Sequence, residues 1–192
     1  MGRWAVPLVL MVLAAGHAAP AAAGGAWTAY TGRFAQNPWE DFFLNPGNIE
    51  YKRAWLLVGA RSWELARPHP RLTLEGELQV GRFVGDQDHW EVNGALGARY
   101  RLTGPAVGVR ASVAFGLGPS WASRDPVLER RLNGENETAA WLVYWYLEAD
   151  VAPRSWGPWS AVVRLHHRSG AFGLVAEEGG SNVPSLGLRR RF

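Results

Sequence analysis

The chain of 192 residues has no cysteine, which excludes disulfide scaffolds, thiolate metal sites and cysteine nucleophiles. Lysine is nearly missing too. Lys52 stands alone, and the formal charge of +3 comes from arginines scattered along the chain rather than gathered in one patch. That distribution gives no argument for a nucleic-acid partner. Beyond residue 23 no apolar run approaches the ~18–20 residues a membrane-spanning helix needs. Gly-rich phosphate loops, Walker-type motifs, dinucleotide fingerprints and zinc-hydrolase helices are likewise lacking, so neither a cofactor nor a metal is expected. What the sequence does hold is tryptophan, 11 in all, within a composition 47% hydrophobic. A disordered tail would not carry such a load, and the length suits one domain.

Residues 1–23 read as a secretory signal peptide. Arg3 gives the positive start, Trp4 to Ala15 the apolar stretch, and Ala21-Ala22-Ala23 the small residues before a cut. The stretch is too short to span as a helix, and Pro20 interrupts it. No cysteine follows the cut, so lipid anchoring is not expected, and residues 24–192 form the mature chain.

Alternation dominates that chain. In 89–102, Trp90, Val92, Leu96, Ala98, Tyr100 and Leu102 oppose His89, Glu91, Asn93, Arg99 and Arg101. The same dyad period runs through 72–80, 107–118 and 140–151, and weaker versions occupy 26–36, 53–66, 159–169 and 182–192. The count is eight strands; residues 55–58 are apolar on both faces, which leaves their parity open. Short Pro/Gly turns near 67–70, 103–105 and 153–158 alternate with longer, more polar segments at 37–52, 123–138 and 170–181, with 85–88 a short exception.

Strands of about 10 residues, one apolar face and alternating short and long connections fit a transmembrane β-barrel. A soluble sandwich would alternate as well, so other features decide. The polar faces carry Glu75, Glu77, Glu91, Arg99, Arg101, Arg110, Glu148, Asp150, Arg164, Arg168, Arg189 and Arg191, nearly balanced in sign, as a small filled lumen requires. Trp and Tyr suit the two membrane interfaces. The last strand alternates up to Phe192, and in this it resembles the assembly signal of bacterial outer-membrane barrels. The expected fold is therefore all-β: an eight-stranded antiparallel transmembrane β-barrel of the bacterial outer membrane. Arg190 falls on the lipid side and must snorkel toward the interface.

With both termini periplasmic, the seventh strand ends at the outer leaflet. Its outward set Ala161, Val163 and Leu165 continues into His167 and Ser169. Residues i and i+2 on one face can bring an imidazole to a hydroxyl, the arrangement of a base-activated serine. An ordinary interfacial pair is the alternative reading. His167-Arg168-Ser169 on the penultimate strand of such a barrel resembles the His-x-Ser motif of the outer-membrane lipid A 3-O-deacylases. The resemblance implies a serine esterase that removes a 3-hydroxyacyl chain from the lipid A of lipopolysaccharide, with Ser169 as nucleophile and His167 as base. The family's orienting glutamate lies at the start of the final strand, where this chain reads Gly179-Gly180-Ser181-Asn182. Glu178 is the favoured third member, with Glu177 and Asn182 as alternatives. Gly170 replaces the family's oxyanion asparagine, which leaves backbone donors around Gly170 and Gly173.

Lipopolysaccharide in the outer leaflet and, through the Phe192 strand, the outer-membrane assembly machinery are the expected partners. A homodimer is left open. The competing function is a non-enzymatic barrel for membrane integrity or adhesion, acting through loops 37–52 and 123–138. His166 faces the lumen by parity, toward a carboxylate, and Asp86 to Glu91 reads as a tight turn running into a strand rather than as a metal cluster.

Overall fold

The dyad pattern lets each strand turn one face inward and the other outward, and hydrogen bonding of every edge then closes the sheet on itself. The computed structural model describes residues 24–103, 108–132, 139–171, 174 and 180–192. Its eight antiparallel strands form a closed barrel in which each pairs with its sequence neighbours and β8 returns to β1. The strands are β1 Gly25–Ala35, β2 Tyr51–His69, β3 Leu72–Gly85, β4 His89–Arg101, β5 Val109–Ala122, β6 Trp141–Pro153, β7 Trp159–Ser169 and β8 Gly180–Arg191. The signal peptide expected at 1–23 lies outside the described residues.

Strand number, order and parity follow the sequence reading. The ambiguous stretch of β2 resolves with Leu56 and Val58 buried and Trp55 and Leu57 outward. Ends differ more: β2 runs to His69 and β5 to Ala122, because an edge that finds a partner keeps pairing past the residues whose alternation marks it. Gly85, at φ 102°, adopts the left-handed backbone of the tight β3–β4 turn, a conformation L side chains resist. Two short helices inside the long connections have no counterpart in the sequence reading: α1 Asp41–Leu44 and α2 Val127–Leu132. Both are too short to show a helical period.

Outward residues form two aromatic girdles. Trp27, Trp63, Trp159 and Phe192 are exposed at the short-turn end; Tyr51, Trp55, Trp90, Trp121 and Trp141 are exposed at the long-loop end. Aliphatic residues such as Leu57, Leu78, Leu96, Leu117, Val163 and Leu186 fill the band between them. Arg190 stands on this wall with its guanidinium 5.9 Å from the Trp159 ring centre, at the girdle rather than in the aliphatic band.

The lumen is an ionic core. Arg164 grips Glu77 in bidentate fashion at 2.6 and 2.9 Å and reaches Glu148 through Nε at 2.7 Å. Arg99 contacts Glu75 at 3.0 Å, Glu148 at 2.7 Å and Asp150 at 2.7 Å. Arg164 also packs against the Tyr146 ring, 4.1 Å from its centre. Gly116 makes room for that ring, since a Cβ there would lie 2.4 Å from it. Buried charges survive only when each finds partners, and these do.

Candidate functional site

β7 carries its inward set Ser160, Val162, Arg164, His166 and Arg168 into the lumen, all buried. His166 meets a carboxylate there, with Nε2 3.1 Å from Glu91 Oε2. Asp86 and Asp88 pair with Arg53 and Arg82, and among the described residues no His/Asp/Glu group could hold a metal.

The outward set continues to His167 and Ser169 at the long-loop end. Register places Trp145 of β6 beside His167 on one side and Asn182 of β8 on the other. The three side chains form one row across the outer wall. The Trp145 and His167 rings lie 4.3 Å apart at 30°, and His167 Nδ1 is 2.6 Å from Asn182 Oδ1. Asn182 Nδ2 in turn donates to the Asn37 carbonyl at 3.0 Å, which fixes the amide with its oxygen toward the imidazole. An amide oxygen only accepts, so His167 Nδ1 must carry a proton, and in the neutral ring the lone pair then falls on Nε2. The row thus selects which nitrogen of the neutral imidazole is basic.

The β1–β2 connection closes over this row. Trp39 stacks edge-on against Trp145, centroids 5.7 Å apart at 88°, and Phe43 of α1 packs on Trp39 at 6.4 Å. His167 is consequently only 8% exposed although it sits on the outer wall, so its ring is shielded from bulk water. Trp39 and Asn37 are absent from the sequence reading. Alternation over 140–151 places Trp145 on the outward face, but nothing local in the sequence shows that the loop would fold back on it.

Ser169 is half-buried on the same face, level with Gly180 and Val143. Its hydroxyl does not hydrogen-bond to His167 or to any other described residue. The reason is geometric: the imidazole is turned along the cross-strand row by Asn182 and Trp145, not up the strand toward Ser169. Gly170 is buried, and Ala171 follows it at φ 54°, a left-handed conformation that costs a residue with a Cβ about 1 kcal/mol or more. The chain therefore turns sharply just past the serine, and Leu174 N–H closes the turn on the Ala171 carbonyl at 3.1 Å. Gly173, Glu177 and Glu178 lie outside the described residues. Of the three third members considered, Asn182 is the one whose contact with His167 is described.

A scan against protein-family models finds no match for this chain, and comparison with curated proteins finds none either. Solved structures do match. The outer membrane enzyme PagL superposes with a TM-score of 0.61 at 18% identity, covering 86% of this chain and 98% of that one. Neisserial surface protein A (NspA) superposes with a TM-score of 0.51 at 10% identity, covering 88% and 97%. The N-terminal β-barrel domain of Pseudomonas aeruginosa OprF reaches 0.49 at 16% identity, covering 88% and 97%. At these identities the likeness is one of fold: this chain has the eight-stranded barrel of Gram-negative outer-membrane proteins.

Proposed function

We propose that the protein is an outer-membrane serine esterase of the lipid A 3-O-deacylase type, exported by residues 1–23 and acting on acyl chains in the outer leaflet. One observation carries the reading. His167 Nδ1 is tied to Asn182 Oδ1 at 2.6 Å on the lipid-facing wall, which prepares Nε2 as a base two residues from a hydroxyl. The His-x-Ser resemblance and the fold shared with an outer-membrane enzyme agree with it.

In the reaction, Nε2 takes the Ser169 hydroxyl proton as Oγ attacks the ester carbonyl, forming a tetrahedral oxyanion. Backbone N–H groups around Gly170 and Gly173 are the donors for that oxyanion. The oxyanion collapses, the ester C–O bond breaks, and the imidazolium returns its proton to the leaving alkoxide. Water, deprotonated by the same nitrogen, then releases the fatty acid and restores Ser169. Asn182 holds the imidazole tautomer throughout, with Glu178 or Glu177 able to take that role in its place. Ser169 must first rotate onto Nε2, a tightening that commonly accompanies substrate binding.

The test is lipid A mass spectrometry on Gram-negative cells with and without the expressed protein. Wild type should shorten lipid A by one 3-hydroxyacyl chain, and Ser169→Ala should leave it intact. The open His167–Ser169 gap favours a second reading, a non-enzymatic barrel acting through its loops. Correctly inserted wild-type protein with unchanged lipid A would select that one.

A further inference from the structure

At the short-turn end the lumen opens into a cavity of about 390 Å³ whose lining includes eight arginines and two glutamates. Behind the wall, Glu148 and Asp150 pair with Arg99, Arg189 and Arg191. Glu64 is engaged by Arg67, and Glu75 by Arg99 and Arg189. Positive charge is still left over, and it is concentrated at one place. Arg71 and Arg101 face each other directly across β3 and β4, their backbones joined by Arg101 N–H donating to the Arg71 carbonyl at 2.8 Å. Both lie on the lumen parity, both are exposed, and neither guanidinium has an acceptor or counter-ion among the described residues.

Like charges directly opposite on paired strands repel, and a protein gains nothing in stability from such a pair. Two further observations point to what relieves it. Arg189, 2% exposed and lining the same cavity, has Nε and Nη1 without hydrogen-bond partners, and Nη1 of Arg191 lacks one as well. Thr103 Oγ1 accepts from the Ala111 N–H at 3.0 Å, which leaves its hydroxyl proton to donate. The mouth therefore has donors and positive potential in excess, set in a low-dielectric wall that strengthens the field.

We propose that this mouth is a binding site for a small, multiply charged phosphate compound, held between Arg71 and Arg101 with Arg110 and Thr103 at its edge. Guanidinium forks match phosphate oxygens in bidentate fashion, and the volume suits a diphosphate or a sugar phosphate rather than a polymer strand. The cavity continues the barrel axis and does not face the lipid, so the ligand comes from water. In outer-membrane barrels the short turns face the periplasm, which makes the ligand periplasmic. The site stands apart from His167 and Ser169, at the opposite end of β7, and does not depend on their chemistry.

Isothermal titration of inorganic pyrophosphate into the folded barrel in zwitterionic detergent tests it. Wild type should bind saturably at one site, with affinity falling as salt rises. The Arg71→Gln/Arg101→Gln double variant should bind about tenfold more weakly or worse, on the scale of losing charge-assisted hydrogen bonds. Arg53→Gln, an exposed arginine at the other end, should bind as wild type does. Because a ligand that binds only the folded state raises its melting temperature, pyrophosphate should also stabilise wild type thermally, a readout that needs no variant to fold. No saturable heat, no thermal shift, or equal affinity in a folded double variant overturns the proposal.

Discussion

His167 illustrates how a single contact sets chemistry. The Asn37 carbonyl orients the Asn182 amide, the amide orients the imidazole, and the basic nitrogen follows. If the esterase reading holds, Asn182→Ala lets the ring choose either tautomer and should lower kcat by about 100-fold or more with little change in KM. Turnover of a micellar lipid A substrate measures this, and an unaltered kcat would remove Asn182 from the mechanism. His167 and Ser169 were legible in the sequence because parity carries to the end of β7. Of the third members named there, Glu178 and its alternative Glu177 belong to a segment outside the described residues, while Asn182, the other alternative, was legible by its place at the start of the final strand, and cross-strand register sets it beside His167. Trp39 and Asn37 were invisible for a deeper reason: their contacts depend on the path of a loop.

At the scale of elements, α2 is the part the sequence concealed most completely. Six residues cannot display a period, yet Leu128 enters the apolar cluster of Tyr30, Phe34, Leu56, Phe83 and Val183, and the Leu128 N–H donates to Gln87 Oε1 at 3.1 Å. The helix is thus docked into the long-loop end of the lumen. Beside Leu128, Glu129 shares the Arg168 guanidinium with Glu91, at 3.2 and 3.1 Å. Burial lifts the Glu129 carboxyl above the ordinary carboxylate range; Arg168 opposes the shift and Glu91 adds to it. A carboxyl raised on folding contributes stability that is complete below its unfolded pKa and lost as pH rises through the folded value. Docking of α2 should therefore be tightest in acid and loosen as Glu129 ionises. Amide exchange at 127–131, corrected for intrinsic rates, should show protection falling with pH in wild type. In Glu129→Gln that trend should flatten; the same slope in both would refute the assignment.

For the whole molecule, the charged lumen does what an apolar core does elsewhere, and the sequence displayed it openly as balanced signs at alternate positions. Which arginine meets which carboxylate was not legible, because those pairs join residues as distant as Glu77 and Arg164. Arg164 is fully buried between Glu77 and Glu148, so Arg164→Met would strand Glu77 away from water and leave Glu148 to Arg99 and Arg189. The loss should be about 3–5 kcal/mol, visible as a lower urea midpoint in lipid vesicles. A midpoint equal to that of wild type would mean that water, not arginine, satisfies those groups. The ring has one more implication. Gly25 and Phe192 exchange backbone hydrogen bonds, so the strand synthesised earliest waits for the strand synthesised latest. Until that seam zips, both rims hang open as adhesive borders, ready to capture any passing strand, and closure of the ring removes that hazard in one step.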